Sequence, residues 1–409
     1  MKRYFGVMLG VLTAIGGFVD IGDLVTNAVV GSRFGLGLAW VVVLGVIGIC
    51  VFAEMSGRIA VVSGRATFDL VRERLGPRVG LANLVASLGV TLLTFIAEIG
   101  GVALALELAT SVNALLWMPV VGALVWVVLW RAKFSHIEDT LGLLGLTLIV
   151  FAVALWKLGP DWTDLLNDAT RPNRPEGEGL PTYFFYAVAL FGAAMTPYEV
   201  FFFSSGGVEE RWTEKDLGTM RANVFIGFPL GGLLSLAIAG CAAVVLMPLD
   251  IQVGTLGQVG LPVGVALGKV GIAFLLIGFF AATFGAACET GLSSAYSIAQ
   301  YFGWQWGKFV RPREAARFHL AILLSTILAV AVLLTTVDPI KVTEYSVVFS
   351  ALALPLTYLP ILVVANDPDY MGEHVNSRWT NIVGSIYLVI ITVAALAALP
   401  LMIATKAGQ

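Results

Sequence analysis

Apolar residues run along this chain in stretches long enough to cross a bilayer, separated by short polar connections. The first stretch is interrupted by Gly17-Phe18-Val19-Asp20-Ile21-Gly22-Asp23. Spanning about 30 Å of hydrocarbon takes roughly 20 apolar helical residues. By that measure the pattern predicts eleven membrane helices, over 5–31, 34–55, 79–108, 112–130, 138–157, 182–207, 221–247, 270–300, 315–336, 342–365 and 379–404. The connections share Lys and Arg unevenly. With the N-terminus inside, seventeen fall on one side, among them Arg58, Arg65, Arg74, Arg221 and Lys308; seven, including Arg33, Lys157 and Lys269, fall on the other. Short loops rich in Lys and Arg stay in the cytoplasm. The pattern therefore predicts a multi-pass protein of the plasma membrane with its N-terminus cytoplasmic and its C-terminus external.

Composition agrees: of 409 residues, 58% are hydrophobic and 12% charged, unlike any soluble domain. A net charge of −3 gives no reason to expect nucleic acid, and no obligate protein partner is evident beside the lipid bilayer. Cys50, Cys241 and Cys288 lie in separate apolar runs, which speaks for packing and against a disulfide framework. Met1-Lys2-Arg3 runs into apolar sequence with no small-residue cleavage site, so the first helix is expected to be retained. The chain divides as one transmembrane domain, 1–409. The Pro-rich segment 158–181 is an external linker between five spans in 5–157 and five in 182–365, and the helix over 379–404 is extra. An odd number per set makes the second set enter the membrane in the opposite sense, the inverted-repeat plan of many secondary transporters.

That plan predicts that the first helix of each set is broken near the midplane. Gly22 and the two acids mark the break in the first; Pro197, in Phe191-Gly192-Ala193-Ala194-Met195-Thr196-Pro197-Tyr198-Glu199, marks it in the sixth. Proline offers no N–H to the carbonyl four residues earlier, so carbonyls around Ala193 are left open. An ionisable group at lipid depth costs roughly 2.5–3.5 kcal/mol on insertion scales and marks an ion or substrate pathway. On a continuous helix Asp20 and Asp23 share a face and repel unless a cation or proton joins them.

With these breaks in place, the chain resembles the natural resistance-associated macrophage protein (Nramp) family of divalent-metal transporters. Its first helix carries Asp-Pro-Gly-Asn and its sixth Met-Pro-His. The resemblance extends over Gly31-Ser32-Arg33-Phe34-Gly35, Val62-Ser63-Gly64-Arg65, Ala97-Glu98 and Leu354-Pro355 through Gly372. It implies an all-α LeuT-type fold and a metal site in which Asp20 matches the family's aspartate and Asp23 its asparagine. Thr196 stands where the family has methionine and Tyr198 where it has histidine; the backbone ligands are the carbonyls of Gly17 and Ala193. A thioether favours transition metals. A site of carboxylates, a hydroxyl and carbonyls suits Mg²⁺, Mn²⁺ or Ca²⁺, and a Mg²⁺-carrying branch of the family also lacks the methionine. Met195, one residue before Thr196, is an alternative donor if the break turns its sulfur inward. Phe95 replaces an aspartate that the family uses for protons while Glu98 keeps a glutamate, and Val347 replaces a glutamine near the metal, so proton coupling is expected to be weak or absent. Glu199 and Glu289 are pathway or neighbouring acids.

No enzyme chemistry and no resident cofactor are expected; the ion, Mg²⁺ or Mn²⁺, is the substrate. An intramembrane aspartyl protease needs acids on facing helices, whereas Asp20 and Asp23 lie on one. A transporter of the same fold for an organic cation or amino acid is the second reading, with Phe18, Tyr186, Tyr198 and Phe202 as an aromatic box. Glu54 and Glu107 fall near predicted helix ends, where solvation accounts for them.

Overall fold

A computed structural model describes residues 19–408, apart from 173, 174 and 176. Among the described residues there is no strand. The helices are α1 (Ile21–Phe34), α2 (Ala39–Ser63), α3 (Thr67–Leu75), α4 (Pro77–Thr110), α5 (Ala114–Arg131), α6 (Phe134–Gly145), α7 (Val150–Leu158), α8 (Trp162–Thr170) and α9 (Leu180–Ala194). They continue as α10 (Pro197–Glu209), α11 (Leu217–Ala222), α12 (Phe228–Val245), α13 (Leu256–Phe302), α14 (Ala316–Leu333), α15 (Pro339–Ala365), α16 (Pro368–Met371) and α17 (Arg378–Ala404). Ten stretches of the described residues are long and apolar enough to cross a membrane. They match the second to eleventh predicted spans; the predicted 5–31 span lies largely outside the described residues, with α1 as its described end.

Both breaks have local causes. Thr196, forced out of the helical region by the proline after it, has ψ 133°, and Met195 before it lies at φ −122°, ψ 55°. Pro197 then opens α10 at the position where a missing N–H costs nothing. Asp20, at φ −88° and ψ −178°, stands outside α1 as its N-cap.

Three boundaries differ from expectation. The 158–181 linker contains α8, started by Asp161, whose carboxylate accepts from the backbone of Thr163 and Asp164; its flanking prolines disguised a well-capped helix. The span predicted over 270–300 is preceded by a helical arm from Leu256, and the two meet at Gly268 with φ 61°. The second span runs over 39–63 rather than 34–55, because Gly35 interrupts the helix at φ 60°.

Helix α4 is central, packed along α13 and α15, while α1 lies on α12 and α10 on α2. Two glycines set the seat of α9. A Cβ on Gly192 would press into the backbone of α15 at Val347 and Ala351, and one on Gly45 would lie 2.5 Å from the Ala194 Cβ. At the far end of α1, the Arg33 guanidinium donates to Glu178 (2.9 and 3.1 Å), the Tyr186 hydroxyl (2.9 Å) and the Gly408 carbonyl (2.7 Å). Glu54, expected to be solvated near a helix end, is buried instead: it pairs with Arg58 at 3.1 Å and Arg221 at 3.0 Å, since α2 continues past it for two more turns.

Gly192→Ala should lower the melting temperature of the purified protein, by overpacking worth about 1–3 kcal/mol. Gly89→Ala, where a Cβ meets nothing within 4 Å, should not. Equal melting curves for the two variants would refute the close α9–α15 contact.

Candidate metal centre

The head of α1 is buried with unsatisfied N–H groups, as every helix start is, and carboxylates fill them. Asp20 Oδ1 accepts from the Asp23 N–H at 2.8 Å, and Glu98 Oε1, reaching from α4, accepts from the Ile21 N–H at 3.1 Å. The positive end of the helix dipole stabilises both anions. The Tyr198 hydroxyl, in the first turn of α10, donates to Asp20 Oδ2 at 3.1 Å and so ties the two broken helices together. Asp20 is 3% exposed, Thr196 8%, Glu199 5%, and Glu98 and Tyr198 0%.

Asp23 differs from expectation. Asp20 lies outside the helix as its cap and takes the Asp23 N–H, and the two carboxylates stay within Coulombic range of each other. The Asp23 carboxylate instead accepts from Asn27 Nδ2 at 2.8 Å and from the Ser235 hydroxyl of α12 at 2.5 Å. Asn27, one turn beyond Asp23, was missed by the sequence reading, although its spacing of four on the same helix could have pointed to it. Ser235, 212 residues away, carried no local signal.

Of the other predicted residues, Thr196 sits at the break itself, and its side chain makes no capping bond to α10. Ala193 is in the last turn of α9, and Pro197 has no N–H to offer its carbonyl. Gly17 lies outside the described residues, as does Phe18. Gly22 lets Asp20 and Val347 approach: a Cβ there would lie 3.0 Å from Asp20 Oδ1 and from the Val347 side chain. Met195 points elsewhere, its sulfur lying against Gly48 of α2 and near Tyr387 of α17. Phe95 is fully buried beside Gly291 of α13. Glu289, also on α13, is half-buried and within Coulombic range of Glu98 and Tyr198. Glu199 is within Coulombic range of Asp20, and its Oε2 has no hydrogen-bond partner.

The described aromatic residues of the expected box, Tyr186, Tyr198 and Phe202, do not all face one point. Tyr186 is bonded to Arg33, thirteen residues along α1 from Asp20 or about 20 Å by helical rise, whereas Tyr198 is on Asp20. Phe202 packs against Tyr296, the two rings tilted by 40°. Among the described residues no three His, Cys, Asp or Glu side chains form a ready metal cluster, so any ion here relies on hydroxyl and carbonyl oxygens besides the acids.

Comparisons with known proteins agree with this architecture. The chain is 25% identical over 407 residues to the divalent metal cation transporter MntH of Erwinia tasmaniensis, covering 95% of this chain and 93% of that protein. It is 28% identical to MntH 1 of Pseudomonas aeruginosa, with 91% and 86% covered. The crystal structure of a manganese transporter from Eremococcus coleocola superposes with a TM-score of 0.72 at 19% identity, over 98% of this chain and 87% of that one. That likeness shows the fold, the all-α LeuT-type membrane architecture. The family model described as natural resistance-associated macrophage protein-like matches residues 10–400. The chain therefore belongs to the Nramp family, whose members are transporters and not enzymes.

Proposed function

We propose that this protein takes up a divalent metal cation across the plasma membrane by alternating access, with its N-terminus cytoplasmic and its C-terminus external. The observation that carries this reading is an imbalance of buried charge. Asp20, Asp23, Glu98 and Glu199 lie buried around the breaks, while the one buried Arg or Lys among the described residues, Arg58, is engaged by Glu54. Buried anions without a cation are costly, and a doubly charged ion removes that cost. The family membership and the names of the relatives support the same cargo class.

In this reading the ion sits between Asp20, Asp23, the Thr196 hydroxyl and the carbonyls of Ala193 and Gly17, and Asp23 leaves Ser235 to reach it. Tyr198 holds the second Asp20 oxygen, and Glu98 fixes the head of α1 behind it. With the Met195 sulfur packed on α2, every donor is a hard oxygen. Such a set favours Mg²⁺ or Mn²⁺, Mg²⁺ keeping several of its waters. Phe95 stands at the place of the family's proton-carrying aspartate and Tyr198 at that of its histidine, which supports uptake driven by gradient and membrane potential with proton coupling weak or absent. With the ion between the breaks of the first and sixth spans, one helix bundle rocks against the other.

Proteoliposome uptake of Mg²⁺, Mn²⁺ and Ca²⁺ tests the site. Asp20→Ala should reduce transport of the preferred ion at least about 100-fold, beyond the 10–100-fold typical of residues that only support ligands. Tyr198→Phe, losing one hydrogen bond to a charged group worth about 1.5–3 kcal/mol, should raise KM roughly tenfold or more. An Asp20→Ala protein that transports normally would refute the assignment.

Donor softness gives a second test. Thr196→Met should improve Mn²⁺ or Cd²⁺ uptake relative to Mg²⁺; an unchanged ratio would remove Thr196 from the site. A pH-sensitive dye inside the same vesicles should report no acidification linked to metal entry, and a clear metal-dependent acid influx would overturn the uncoupled mechanism.

A further inference from the structure

At the end of the bundle where α2 finishes and α17 begins, an open cavity of about 600 Å³ is lined by charged and apolar side chains together. That size is typical of small-ligand sites, roughly 300–1,000 Å³. Its floor is ionic. The Glu54 and Arg58 side chains of α2 are only 11% and 5% exposed, and both are engaged. Arg58 donates to Glu54, to the His374 carbonyl and to Asn376 Oδ1, while Glu54 also accepts from Arg221 Nε at 3.0 Å.

Two charges of the lining are not spent in this way. Arg221, in the last turn of α11, keeps half its side chain exposed, and its two Nη groups have no acceptor among the described residues. Glu373 is exposed and accepts from none of them, while His374 beside it is turned to Glu214 at 3.9 Å. Arg221 and Glu373 share the cavity without pairing with each other. A simple anion answers only the first; a ligand carrying both signs answers both. The apolar lining narrows the class further. Phe225 and Trp379, 52% and 76% exposed, border the same cavity, with Ile226 and Ile382 exposed beside them. Trp379 lies in the first turn of α17, and Phe225 in a wider π turn over Asn223–Gly227 that leads into α12. Such π turns are frequent at functional sites. Both rings therefore stand where two spans enter the bilayer, the level that exposed Trp favours. A soluble metabolite has no use for bare aromatic rings at the lipid boundary, and a lipid does.

We propose that this cavity binds a phospholipid whose headgroup carries a primary ammonium beside its phosphate, as phosphatidylethanolamine does. The phosphate accepts charge-assisted hydrogen bonds from the Arg221 Nη groups, the ammonium donates to Glu373, and the acyl chains leave over Phe225 and Trp379. One lipid so placed joins the segment before α12 to the start of α17. The site does not depend on which ion is carried.

The test titrates full-length protein in detergent with phosphatidylethanolamine, phosphatidylglycerol or water-soluble O-phosphoethanolamine and counts bound ligand by native mass spectrometry. Phosphatidylethanolamine should bind at least about tenfold tighter than phosphatidylglycerol, the difference one hydrogen bond to a charged group makes. Arg221→Gln should weaken its binding by a similar factor, and Glu373→Gln should abolish the preference between the two lipids. Should Arg221→Gln fold poorly for want of its bond to Glu54, Glu373→Gln decides, because that side chain is exposed. Equal affinity of the two lipids, or a preference that survives Glu373→Gln, overturns the proposal. O-Phosphoethanolamine binding as tightly as the lipid overturns it as well, by assigning the cavity to a free metabolite.

Discussion

A helix that begins inside a membrane must satisfy its first N–H groups without bulk water, and the rest of this site follows from how α1 does so. It uses carboxylates: Asp20 from just outside its own first turn, and Glu98 from α4. Each acid is thereby fixed by main chain, so its position does not depend on side-chain packing alone. Tyr198 carries the arrangement across to α10. Three elements far apart in sequence meet at one polar point, and the carboxylates that cap the start of α1 are the same groups proposed to attract the cation.

Much of this was legible in the sequence because its causes are local. Pro197 dictates an extended Thr196, which is what the backbone shows, and has no N–H to offer the Ala193 carbonyl. The spans follow from apolar length, and the position of Asp20 from its cost at lipid depth. What escaped was settled by distance or by conformation. Asp23 turns to Ser235, a partner 212 residues away. Asp20, read as part of a continuous helix, is instead the cap of α1, so it takes the Asp23 N–H as well as lying beside its carboxylate. Glu54 escaped because α2 runs on past the predicted end, burying the acid beside Arg58.

The break in the sixth span also decides which of two adjacent side chains is available. Met195 and Thr196 are neighbours, yet the sulfur is pressed against Gly48, where there is room only because that residue lacks a side chain. Thr196 stands at the opening of α10. A glycine on a different helix thus holds the soft sulfur away from the break and leaves the hard Thr196 hydroxyl there.

At the opposite end of α1, Arg33 joins the helix to the linker at Glu178, to α9 through Tyr186 and to the chain near residue 408. Four acceptors on one guanidinium tie these pieces to one another. A surface probe placed on the linker beside Glu178 would therefore report tilting of a helix that is itself almost wholly hidden, turning an internal displacement into a signal readable from outside the membrane.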